Sequence, residues 1–210
     1  MRLDGPVVIV ATKNKGKVRE FAHAFAPFGK EVRSMYDYPD IPDVVEDGTT
    51  FAENALKKAK AVGDVLGLPV LADDSGLCVD LLDGAPGVYS ARYAGEGASD
   101  HENNIKLLDV LESKQLGDDT GQPLLSPAQF VCTLILYNPQ TGETLESTGS
   151  VEGWITTETA GSGGFGYDPL FYLPEFEKTM AELTLEQKQA ISHRGIALRN
   201  LATKLGNPQE

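Results

Sequence analysis

Apolar residues come in short bursts along this chain, and the spacing within each burst predicts the element it builds. Pro6 to Ala11 is a β-branched run closed by polar residues, which reads as a buried strand. From Gly16 onward Val18, Phe21, Ala22 and Phe25 recur at helical spacing until Pro27 and Gly29, so a helix follows the strand. Ser34 to Gly48 has no period and is rich in Pro, Asp and Tyr, the composition of a loop that carries polar groups. Thr50 with Glu53 three residues on is a capping-box signature, and Ala55, Ala59, Val62 and Leu66 give a second helix its apolar stripe before Gly67 and Pro69 end it. The short strand Val70 to Ala72 then runs into two aspartates.

Downstream the pattern continues. A turn is expected around Gly84-Ala85-Pro86-Gly87, then a helix capped by Ser99 and Glu102 with Ile105, Leu107, Leu108 and Leu111 on its stripe. Gln115 to Ala128 reads as a long polar loop. Phe130 to Tyr137 and Thr144 to Val151 are β-rich and flank Asn138-Pro139-Gln140-Thr141-Gly142, a hairpin signal. Thr184, Gln187, Ile191, Leu198 and Leu201 predict one C-terminal helix, and no internal repeat is evident.

The 210 residues suit a single catalytic unit, either one large domain or two small lobes sharing a cleft. A formal net charge of -13 argues against binding to nucleic acid or to an anionic membrane, because both run on clustered Lys and Arg. A polyanionic ligand must therefore meet a local basic pocket. No apolar stretch is long enough to span a bilayer, and no secretory leader pattern precedes the first strand, so the cytoplasm is the expected location. Cys78 and Cys132 each lie in an apolar run and read as buried free thiols.

Four segments carry candidate chemistry. Thr12-Lys13-Asn14-Lys15-Gly16-Lys17 places hydroxyl, amide and ammonium donors at a strand-to-helix junction, where unpaired backbone N–H groups and the helix dipole favour phosphate. It lacks the first Gly and the final hydroxyl residue of a Walker A loop, and a solvated lysine-rich turn would look the same. Asp73-Asp74-Ser75-Gly76 follows a buried strand, where carboxylates can hold a hard cation such as magnesium; Glu46 is a third candidate, and simple turn capping is the alternative. In Gly161-Ser162-Gly163-Gly164-Phe165-Gly166-Tyr167-Asp168-Pro169 the glycines permit close backbone approach, Phe165 could stack on a base and Asp168 could accept from its edge, although glycine-rich turns also occur without ligands. Lys188 to Arg194 could bring several donors to one side of the last helix; alone it reads more readily as solvated charge. His23 and His101 look like helix-surface residues, and no hydrolase triad or HExxH pattern is present.

Taken in order, TKNKGK, EDGTTFAENA, ADDSGL, GAPGVYSARY, GGFGYDP and ELTLEQKQAISHRG closely resemble the inosine triphosphate pyrophosphatase family over nearly the whole chain. The resemblance implies an α/β fold, with a long mixed central sheet, flanking helices and two lobes around a nucleotide cleft in one domain over residues 1–210, usually as a homodimer. It makes Thr12, Asn14 and Lys17 triphosphate contacts, joined by Lys58 and by their neighbours Lys13, Lys15 and Gly16. Glu46 and Asp74 become magnesium ligands, Asp74 the proton acceptor with Asp73 sharing that work, and Ser75 a nucleotide contact. Phe165, Gly166, Tyr167, Asp168, Lys188, His193 and Arg194 become the base pocket, with Lys188 or Arg194 donating to the purine 6-oxo group. Two departures stand out: Lys13 replaces a residue that is often Gly, and the 115–128 segment is longer and more polar than the family pattern.

The activity so implied is hydrolysis of inosine, deoxyinosine and xanthosine triphosphates to monophosphate and pyrophosphate. A pyrophosphatase for modified pyrimidine triphosphates and a non-catalytic nucleotide sensor are the competing expectations. Paired aspartates favour catalysis over sensing, since extra negative charge weakens triphosphate binding unless a metal joins the two.

Overall fold

The computed structural model describes Leu3, residues 5–115 and residues 124–206. Its seven strands are β1 (Val7–Val10), β2 (Glu31–Ser34), β3 (Val70–Val79), β4 (Leu124–Tyr137), β5 (Thr144–Thr156), β6 (Phe171–Leu173) and β7 (Lys178–Thr179). The helices are α1 (Lys15–Phe25), α2 (Phe51–Leu66), α3 (Asp100–Gln115), α4 (Leu185–Ile191) and α5 (His193–Gly206). The strands form one open sheet in the order β2-β1-β3-β4-β5-β6-β7. β1 pairs in parallel with β2 and β3, whereas β6 is antiparallel to β5 and β7, so the sheet is mixed and the fold is α/β. Among the described residues no helix is long and apolar enough to cross a membrane.

The chain divides into two compact units, the first being Met1–Asp74, Cys132–Gly149 and His193–Glu210. Its core has two parts. One gathers Val8, Val10, Phe21, Phe25, Leu71, Leu134, Leu136 and Leu201; the other gathers Ile9, Ala11, Ala55, Ala59, Val62, Val70 and Ile135. Alternate residues of β1 thus point into alternate clusters, as the pleat requires, and helices cover both faces. The expected caps form: Asn14 Oδ1 accepts from the Lys17 N–H, and Thr50 and Glu53 complete a reciprocal capping box before Gly67 ends α2 in the left-handed conformation.

The second unit is Ser75–Val131 with Ser150–Ser192. It is built on Leu77, Val79, Leu107, Leu111, Phe130, Ile155, Tyr167, Leu170 and Phe171, with the Phe130 and Phe171 rings 4.4 Å apart. The Ser99 cap of α3 is present, its hydroxyl accepting from the Glu102 N–H while the Glu102 carboxylate accepts from the Ser99 N–H.

Several expectations need correction. β3 does not stop at Ala72; it continues to Val79 with both aspartates inside it. Gln115 ends α3 and Leu124 to Ala128 belong to β4, where Leu125 and Ala128 are buried; residues 116–123 of the expected loop lie outside the described residues. Ile105 is exposed rather than on the α3 stripe. The single C-terminal helix is two, because Ser192 adopts an extended backbone with ψ 156° between α4 and α5. β2, a short strand with alternating exposure, has no counterpart in the apolar pattern.

Candidate active site

Strand geometry decides what the paired aspartates can do. Successive residues of β3 point to opposite faces. Asp73 faces α1 and α5: its Oδ2 takes Lys17 Nζ at 2.9 Å and Arg194 Nη2 at 2.7 Å, and Arg194 Nε at 3.2 Å. Asp74 faces α2: Asn54 Nδ2 donates to its Oδ2 at 3.0 Å, and Lys58 Nζ stands 3.7 Å from its Oδ1. The same Lys58 ammonium holds Glu46 at 2.7 Å, so Glu46 and Asp74 share one cation.

Two residues of this cluster went unnoticed in the sequence. Glu20, three positions after Lys17 on the same side of α1, accepts from Arg194 Nη1. Asn54, fully buried on α2, bridges Asp74 to the Gly48 N–H, which its Oδ1 accepts at 2.8 Å. Gly48 is required there, since a Cβ would come within 2.6 Å of that oxygen. The spacing of Lys17 and Glu20 was the available signal for the first; the second carried none, because Asn54 sits where any helix-face residue could.

The two aspartates are driven in opposite directions. Burial alone would raise Asp73, but Lys17, Arg194 and Lys58 together outweigh it and hold the carboxyl far below the usual carboxylate range. For Asp74 burial wins: Lys58, Lys17 and the Asn54 bond oppose it only in part, Glu46 adds to it, and the carboxyl is raised above its ordinary value. Lys58 is itself pushed up despite burial, by Asp74, Asp73 and Glu46. Asp73 is thus held in its charged form by the cations around it, while Asp74 is the carboxyl of the pair that burial raises.

At the α1 entrance, Thr12 Oγ1 accepts from the Asn14 N–H at 3.1 Å, while Lys13, Asn14 and Lys15 are exposed. Lys13 pairs with Asp43 at 2.6 Å on the surface. The donors expected for phosphate therefore lie together at one helix start, Lys17 reaching inward to Asp73. Among the described residues no three His, Cys, Asp or Glu side chains form a metal-holding group.

In the second unit a separate constellation forms. Lys188 Nζ donates to Asp168 Oδ2 at 2.6 Å and lies 4.7 Å from the Phe165 ring centroid. The Phe165 N–H donates to the same oxygen at 2.9 Å. Gly164 lets this happen, for a Cβ there would stand 2.0 Å from that oxygen. Tyr167 turns into the core and donates to the Ser90 carbonyl at 2.8 Å, which anchors the loop. Ser75, half-buried on β3, begins this unit.

Arg194 and His193, the last residues expected in the base pocket, lie on another element. The break at Ser192 places them on α5, in the first unit. Arg194, 1% exposed, is bound by Asp73 and Glu20. His193 is likewise buried.

The chain is 52% identical over 199 residues to a dITP/XTP pyrophosphatase of Geobacter sulfurreducens, covering 95% of this chain and 96% of that one. It is 51% identical over 203 residues to one of Listeria monocytogenes, covering 97% and 96%. In structure it resembles a HAM1 protein from Coxiella burnetii, with TM-score 0.81 and 40% identity over 96% of this chain and 99% of that one. The Ham1 protein of Staphylococcus aureus gives TM-score 0.78 and 42% identity over 95% and 98%. Residues 8–204 match the Ham1 family, and the chain belongs to that family.

Proposed function

We propose that this chain is a nucleoside triphosphate pyrophosphatase that converts non-standard purine triphosphates, those of inosine, deoxyinosine and xanthosine, to monophosphate and pyrophosphate. The observation that carries the reading is the divergence of Asp73 and Asp74: adjacent carboxylates with opposed environments are how one site holds a permanent charge and a working base side by side. The names of the dITP/XTP pyrophosphatase relatives supply the substrate class.

The chemistry follows from the residues. Thr12, Asn14, Lys13, Lys15, Gly16 and Lys17 at the α1 start, with Lys58, receive the triphosphate through backbone N–H groups and ammonium charge. A water oriented by Asp74 attacks the α-phosphorus; the new P–O bond forms as the bond to the bridging oxygen breaks, and the water proton passes to Asp74. Pyrophosphate leaves with its charge held by lysines. Glu46 and Asp74 would hold magnesium: they are hard oxygen donors brought to one Lys58 ammonium, and two carboxylates with substrate phosphates suffice for that ion. When bound, magnesium supplies charge neutralisation at the phosphate oxygens.

For the base, Phe165 offers a stacking face and Lys188 a donor to a 6-oxo group. Adenine carries an amino group there and would set a donor against that ammonium instead of an acceptor, which is the physical source of discrimination. We read residues 1–210 as one pyrophosphatase domain. A cytoplasmic homodimer completes the proposal.

The test is a panel of inosine, deoxyinosine, xanthosine, guanosine, adenosine and deoxyuridine triphosphates, with and without magnesium, scored for pyrophosphate against single-phosphate release. Magnesium-dependent pyrophosphate from the first three is expected. Preference for the pyrimidine would support the other pyrophosphatase reading, and binding without turnover of any of them would leave a sensor.

A further inference from the structure

Helix α3 grips the glycine-rich loop by its backbone. Asp100 Oδ2 accepts from the Gly166 N–H at 2.7 Å, and Asn104 Nδ2 donates to the Gly166 carbonyl at 3.0 Å. The two side chains stand four residues apart on one helix face, so both polar groups of a single residue are held from the same element. Gly166 has φ +61°, a conformation that an L side chain rarely adopts.

Asn104 is unusual among its neighbours. Asn103 uses both ends of its amide, accepting from the Ala94 N–H and donating to the Ala91 carbonyl. Asn104 is 7% exposed, and its Oδ1 has no hydrogen-bond partner among the described residues. A buried acceptor left unpaired is unfavourable, so an amide here makes physical sense only through what its donor does at Gly166.

Phe165 is thereby fixed from both sides. Asp168 holds its own peptide groups, accepting from the Phe165 N–H and donating its N–H to the Phe165 carbonyl at 3.2 Å, while α3 holds the next residue. We propose that Asp100 and Asn104 are positioning residues for base recognition: they fix the two peptides on either side of Gly166, Asp100 the Phe165–Gly166 one and Asn104 the Gly166–Tyr167 one, and with them the ring face offered to the purine, without touching the nucleotide. The inference rests on the base-recognising role given above to Phe165 and Lys188. Its consequence is a division of labour, in which α3 sets selectivity and leaves the water-activating step to Asp74.

Steady-state kinetics of the full chain with inosine and adenosine triphosphates and magnesium test it. Asn104→Leu, close in size and free of the unpaired acceptor, keeps the protein folded while deleting the donor; Asp100→Ala deletes the acceptor. Each is expected to raise KM for inosine triphosphate about tenfold and to cut the inosine-to-adenosine ratio of kcat/KM by a similar factor. The kcat should stay within about twofold. Asp100→Asn keeps an acceptor oxygen and should restore both values. Unchanged KM and ratio in Asn104→Leu and Asp100→Ala would overturn the proposal, as would Asp100→Asn behaving like Asp100→Ala. Phe165→Leu separates the two readings. If it leaves selectivity intact, the base pocket itself is misassigned; if it lowers selectivity while the α3 variants do not, only the clamp fails.

Discussion

The first unit and the second each bury a carboxylate against a lysine, yet they solve different problems. In the second, Lys188 and Asp168 form one tight pair, both buried, beneath a phenylalanine ring. In the first, the cations Lys17, Lys58 and Arg194 face the carboxylates Glu20, Glu46, Asp73 and Asp74. A closed pair balances itself and orients a donor. An open network with one carboxylate in excess cannot balance itself, and the unmet charge falls on Asp74, whose carboxyl burial drives up. The lesson is that the shape of a charge network, more than its presence, separates a positioning site from a reacting one.

Substitutions at the network should break this contrast most severely. Asp74→Asn removes the proposed proton acceptor, and turnover of inosine triphosphate should fall by about 10²–10⁴-fold in kcat. The same change deletes a buried charge that the fold disfavours, so its melting temperature should equal or exceed that of the unaltered protein; a lower one would count against the strained-carboxylate account.

Asp73→Asn should do the reverse. It takes the Asp73 charge from Lys17 and Arg194, leaving Glu20 on Arg194, at a cost of about 3–5 kcal/mol in unfolding free energy measured by denaturant titration. The pH dependence carries the sign. Because folding depresses the Asp73 pKa, its contribution is present above the ordinary aspartate value of about 3.9 and is lost as pH falls through the lower folded value. The acid limb of the stability curve should therefore flatten in Asp73→Asn. An unchanged acid limb would contradict the assigned role.

Lys188→Met probes the closed pair. Leaving Asp168 buried without its cation should lower stability by about 3 kcal/mol, and selectivity for inosine over adenosine triphosphate should drop at least about tenfold. Loss of stability with selectivity retained would reduce the pair to a structural role. The smallest effect belongs to the surface: Asp43→Asn opens the exposed Lys13 pair and should change stability by less than about 1 kcal/mol.

How much of this could be read beforehand varied with the range of the interactions. β1, α2 and the Asn14, Thr50 and Ser99 caps depend on neighbours within a few residues, and their residue types announce them. The extent of β3 was hidden because two aspartates ordinarily end a strand; here cations from α1, α2 and α5 neutralise them, and those partners lie far away in sequence. Arg194 is the extreme case, separated from Asp73 by 121 positions, so its short sequence motif placed it with Lys188 although the backbone turns at Ser192. Glu20 shows only its spacing from Lys17 and Asn54 no local peculiarity at all; packing gives both their partners.

Pyrophosphate release from inosine triphosphate in a single turnover, with magnesium saturating and Asp74→Asn compared with the unaltered chain, tests the division between the two aspartates most directly. A rate at least about a hundredfold lower, in a variant that melts no earlier than the parent, is the predicted result. A rate close to the parent's would show that Asp74 accepts no proton in the reaction.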